Sequence, residues 1–158
     1  PGPSAARGPS ARALRGTTLA VLVLLLVQFG LGMAVNLFVR IPARHPGAHP
    51  SAYLSGASTS VGWALSHSAV ALASHAGLGL LLVVAGLVLL GMTIAAGRTG
   101  PAVAAVVGVL AVIGAGFNGA SFLSYNHDVS SYVMALLFAL AVLCYVVALF
   151  LLPRPADP

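Results

Sequence analysis

The 158-residue chain has no lysine and no glutamate, and its only formal charges are seven arginines and two aspartates, 6% of the sequence. Soluble domains carry about 25% charged residues, so this chain cannot surround itself with a hydrated surface. With 59% hydrophobic residues, its main solvent is lipid. The single cysteine, Cys144, excludes an internal disulfide, a CxxC thiol relay and a four-thiolate metal centre. The net charge of +5 comes from scattered arginines and not from one basic face. That pattern suits membrane orientation and speaks against a nucleic-acid partner. Arginine without lysine, beside abundant Ala, Val and Gly, points to a GC-rich bacterial genome and hence to a multi-pass protein of the bacterial plasma membrane.

Cutting the chain at its charges leaves the stretches 16–39, 45–97, 99–127 and 129–153, each able to hold a helix of about 20 residues, enough to cross a hydrocarbon core of roughly 30 Å. Spans are expected near Thr18–Leu37, Gly77–Ala96, Ala102–Ser121 and Tyr132–Leu152. Arg7, Arg12, Arg15, Arg98 and Arg154 fall on one side of this arrangement and Arg40 and Arg44 on the other, so both termini are expected in the cytoplasm. The fold class expected is an all-α integral membrane protein, a four-helix up-down-up-down bundle. Residues 1–16 read as a disordered arm, 17–152 as the membrane domain with an outer loop at 40–66, and 153–158 as a cytoplasmic tail. The apolar run after the basic arm exceeds a signal-peptide core, so the first helix is expected to be retained.

On this topology the polar side chains are distributed unevenly. His45, His49, His67, His75 and His127 all fall in the outer half, with Asn36, Asn118, Asn126 and Asp128. An interfacial belt accounts for Tyr53, Trp63, Tyr125 and Tyr132, but not for the histidines, which are functional candidates where they lie at membrane depth. His45 and His49, in RHPGAHP, read as wet loop residues, and His127, in SYNHDVSS, sits in a turn. His67 and His75 belong to a stretch, Ser51–His75, with seven serines and one threonine, whose first part reads as a loop or interfacial helix. A helix capped by Ser60 and continuing to Ala96 would measure roughly 54 Å, ~24 Å more than the bilayer core. It must therefore project from the membrane or break, the expected place being Ser74–Gly79.

His67, Ala71, His75, Gly79, Leu82 and Gly86 form one stripe of mostly small side chains on this helix. Such a stripe admits either a neighbouring helix at close range or a flat macrocycle such as haem b, whose iron takes an axial imidazole. Gln28, Gly32 and Asn36 form a matching stripe on the first span. Ala111, Ala115, Asn118 and Phe122 do so on the third, and Met134, Phe138, Ala141 and Tyr145 on the fourth.

Missing residues narrow the function classes. The inner half has no histidine, which disfavours a two-haem relay across the membrane, and the absence of Asp, Glu, Lys and Arg from the spans disfavours ion-coupled transport. There is no HExxH motif. The expected function is a small membrane haem b protein with redox or small-ligand chemistry (peroxide, oxygen or nitric oxide). His75 would be the proximal ligand, with His127, Met134 or, only if the helix breaks, His67 as the second, Asn36 and Asn118 donors to a bound ligand, and Arg40 or Arg44 partners of the propionates. Copper or zinc on His67, His75 and His127 is the alternative. A third is a non-enzymatic accessory subunit whose glycine-rich faces dock in a homodimer or larger membrane complex.

Overall fold

The computed structural model describes residues 8–153, and these are helical apart from short links. The helices are α1 (Ala11–Phe38), α2 (Tyr53–His67), α3 (Val70–Ala95), α4 (Thr99–Tyr125) and α5 (Asp128–Leu151). All but α2 are long and apolar enough to cross a membrane, the architecture of a multi-pass membrane protein. The first seven residues and the tail from residue 154, with Arg7 and Arg154, lie outside the described residues.

The helix ends follow from local chemistry. Ser10 Oγ accepts the Ala13 N–H at 3.2 Å and starts α1 at Ala11, inside the stretch that reads as an arm. Pro101 stands in the first turn of α4, where its missing N–H costs nothing. Asn126 ends α4 in the left-handed region, with φ +54°. Gly97, at φ +64°, turns the chain between α3 and α4.

Of the two alternatives for the stretch from Ser60 to Ala96, projection or a break, the chain takes the break. Helix α2 begins seven residues before Ser60, and the chain breaks at Ser68 and Ala69, earlier than Ser74–Gly79. At the break Ser68 is extended (φ −98°, ψ 178°), and its Oγ donates to the Ala64 carbonyl, the acceptor that a continued helix would offer to the Ser68 N–H. Ser60 is not a cap either. It is fully buried, and its hydroxyl meets that of the buried Ser124 on α4 at 3.0 Å. Much of the expected outer loop is thus a helix that packs on α3 and α4.

The four long helices close a ring in which α1 and α4 each neighbour both α3 and α5, and the backbones of the diagonal pairs stay apart. The largest fully buried side chain, Tyr145 on α5, fills the middle of this ring. Its ring lies so close to Gly108 on α4 that a Cβ there would come within 2.9 Å, and its hydroxyl would be 2.7 Å from a Cβ at Gly86 on α3. Val21, Leu25, Leu82, Leu89, Ala111, Val112 and Ala141 complete the core. Large apolar side chains on the outer faces, such as Leu26, Val84, Leu110 and Phe150, are exposed, as lipid contact requires.

Arg15 closes one end of the bundle. From the second turn of α1, its guanidinium donates to the carbonyls of Leu149 and Leu152, both at 3.0 Å, groups the end of α5 leaves without helical partners. Replacing Arg15 with methionine keeps the stem and removes both bonds. Hydrogen bonds to charged groups contribute about 1.5–3 kcal/mol when buried, so for this half-buried pair a loss of ~1–2 kcal/mol is expected, measured as a lower unfolding midpoint in detergent.

Candidate functional site

His75 lies in the second turn of α3 and faces α1, where Gln28 and Gly32 sit four residues apart on one stripe. Gly32 admits the imidazole: a Cβ there would stand 3.0 Å from His75 Cε1. The Gln28 amide Nε2 donates to the His75 carbonyl at 3.0 Å and lies 3.5 Å from the ring Nε2. It also occupies the space beside Gly79, 3.3 Å from where a Cβ would be. Two buried polar atoms of this cluster, Gln28 Oε1 and His75 Nδ1, have no hydrogen-bond partner. A buried imidazole edge and a buried amide oxygen without partners mark a polar site inside an apolar seam.

The other expected site residues do not join it. His67 ends α2 exposed, its Nδ1 2.6 Å from Ser66 Oγ, and Ser66 in turn donates to the Gly62 carbonyl. His127 is exposed in the link before α5, its ring stacked on Tyr125 with centroids 6.1 Å apart. Met134 Sδ packs in the α4–α5 seam, 3.2 Å from where a Cβ at Gly119 would be. Asn118 Nδ2 donates to the Gly114 carbonyl of its own helix at 2.9 Å, not across helices. Asn36, Arg40 and Arg44 are exposed. Among the described residues no group of three or more His, Cys, Asp or Glu side chains is placed to hold a metal ion.

Of the two histidines that read as wet loop residues, His49 has an exposed side chain and binds α4 through its backbone alone, whereas the His45 ring is structural. Helix α4 ends with free carbonyls, and this loop covers them: the His49 N–H donates to Ser124 O at 2.8 Å, and His45 Nε2 lies 3.0 Å from Leu123 O. The His45 ring stacks on Trp63 of α2 with centroids 4.3 Å apart and planes 17° from parallel. Tyr53 adds a further clasp, its hydroxyl donating to Phe117 O at 2.9 Å and meeting Ser121 Oγ at the same distance. The cue for this cap is the pair of turn prolines, Pro46 and Pro50, but its target on α4 has no local signature.

The small-residue stripe on α3 is filled by the protein's own side chains. Gln28 takes the space at Gly79, and the Tyr145 hydroxyl and Val109 take that at Gly86. Around His75 itself, the upper part of the α1–α3 seam is occupied by the Gln28 amide and closed by Gly32. Its fit to a haem is partial: a flanked imidazole and orphaned buried polar atoms are present, whereas a slot of macrocycle depth and a second converging ligand are not. Comparison of the chain with family models, curated proteins and solved structures finds no match.

Proposed function

We propose that this is a bacterial plasma-membrane protein, up-down-up-down in topology with both termini in the cytoplasm, which binds one haem b in the outer half of the α1–α3 seam through His75. The observation that carries this is that His75, alone among the five histidines, sits inside a seam between membrane-spanning helices, pressed against Gly32 and with a buried ring nitrogen lacking a partner. His67, His127 and Met134 are engaged elsewhere, so of the expected ligands His75 is the one that would hold the group. Haem with one open position supplies small-ligand chemistry, with oxygen, nitric oxide or peroxide, more readily than electron transfer. This chain's own part is to hold the imidazole between Gly32 and Gln28 and to keep water out of the seam. Gln28 fixes the imidazole from the α1 side, its amide donating to the His75 carbonyl.

The test is the absorption spectrum of protein expressed with a haem supply. A Soret band is expected, lost in His75→Ala and kept in His45→Ala. No band, even after haem is added to the purified protein, ends the proposal. An accessory subunit without a cofactor is the second reading, favoured by the closure of the bundle around Tyr145. Co-purification with a larger assembly, with no chromophore or metal of its own, would support it. Copper or zinc has less support, since the described histidines do not group.

A further inference from the structure

We propose that His45 is an acid-operated latch for the cap formed by the 39–52 loop and α2: protonated, its ring donates from both nitrogens and fastens the cap to the end of α4. Both ring nitrogens face carbonyl oxygens, Nδ1 that of Pro46 at 2.9 Å and Nε2 that of Leu123 at 3.0 Å. A carbonyl only accepts, and a neutral imidazole has one N–H and one lone pair. The neutral ring therefore satisfies one contact and sets a lone pair against the other oxygen. The imidazolium satisfies both.

Two further features of the site attract a cation. Leu123 is in the last turn of α4, the negative end of the helix dipole, where cations are stabilised. The ring also lies flat on Trp63, an arrangement that attracts a cation. The titratable and charged side chains on the surrounding elements are Arg40, Arg44 and His49 on its own loop, Tyr53 and His67 on α2, and Tyr125 on α4. His127 and Asp128 follow in the link to α5 just beyond that end of α4, and no carboxylate is hydrogen-bonded to the His45 ring. The carbonyls, the helix end and the indole thus supply the attraction that an acidic residue would supply elsewhere.

The latch has a direct reporter, since Trp63 is the only tryptophan in the chain, and an imidazolium quenches a stacked indole more strongly than neutral imidazole does. The emission of the full-length protein in detergent is recorded between about pH 8 and about pH 5, the range in which histidine changes charge. It should fall on acidification in one step that disappears in His45→Gln and persists in His67→Gln. At one fixed acidic pH, the His49 amide should exchange its hydrogen about tenfold faster in His45→Gln than in the parent, the effect of losing one clasping hydrogen bond. Flat emission, or a step that survives His45→Gln and vanishes in His67→Gln, overturns the proposal. Should His45→Gln fail to fold, nitrogen NMR of the parent decides, because a His45 ring still neutral at about pH 5 is incompatible with the latch.

Discussion

Tyr145→Ala should be the most damaging single substitution in the bundle, while Tyr145→Phe should leave the protein as stable as before or slightly more so. The ring occupies the middle of four helices, with no exposed area and glycines at two of its contacts. In lipid the transfer component of core burial is largely absent, because the alternative surroundings are also apolar. What remains is the void: at about 24 cal/mol per Å³, a ring-sized cavity of about 100 Å³ comes to ~2.4 kcal/mol. That is a large share of a typical total of about 5–15 kcal/mol. The hydroxyl is buried without a partner, so phenylalanine removes only an unsatisfied group. Unfolding in detergent against a denaturant series would separate the two variants. Equal losses for alanine and phenylalanine would mean that the hydroxyl, not the ring, holds the helices together.

Gly47→Val should detach the cap while leaving the four long helices assembled. Gly47 adopts φ +88°, in the left-handed half of backbone space where a β-branched residue costs on the order of 1–3 kcal/mol in strain. Space is lacking as well: a Cβ there would run into the Ser60 hydroxyl and stand 2.7 Å from the Gly56 carbonyl. The Gly56 carbonyl belongs to helix backbone and cannot yield. Gly56 itself receives the Pro50 ring so closely that no side chain fits between them. The expected result is fast hydrogen exchange across α2 and the 39–52 loop with unchanged protection in α3, α4 and α5. Loss of protection throughout would show that the cap and the bundle form one cooperative unit.

Four spans are legible from charge spacing alone because a bilayer tolerates few charged groups, and the observed helices contain the expected segments, apart from one residue at each C-terminal end of the second and fourth. Their ends are less legible: Ser10 draws α1 out of the expected arm, and the run of helix that apolar periodicity would continue stops at Ser68, whose hydroxyl bonds back to the Ala64 carbonyl. Both are side chains bonding to backbone, a choice that depends on rotamers and not on pattern. The stripe of Gln28 and Gly32 does face His75, since two helices with small residues at matching depths are drawn together. Asn36, one turn further, faces out because the seam ends before it. Tyr145 shares a readable face with Met134 and Ala141, but only the closed ring of helices shows that its side chain reaches α3. The role of His45 is the least legible, for its partners lie 18 and 78 positions along the chain.

On α1 beyond Arg15, and along the whole of α3, α4 and α5 beyond Asp128, no aspartate, glutamate, lysine or arginine occurs. A transmembrane voltage of 100 mV does about 2.3 kcal/mol of work on each elementary charge carried through the bilayer. Here it finds almost nothing to move. Rearrangements of these helices should accordingly be indifferent to whether the cell is energised or depolarised.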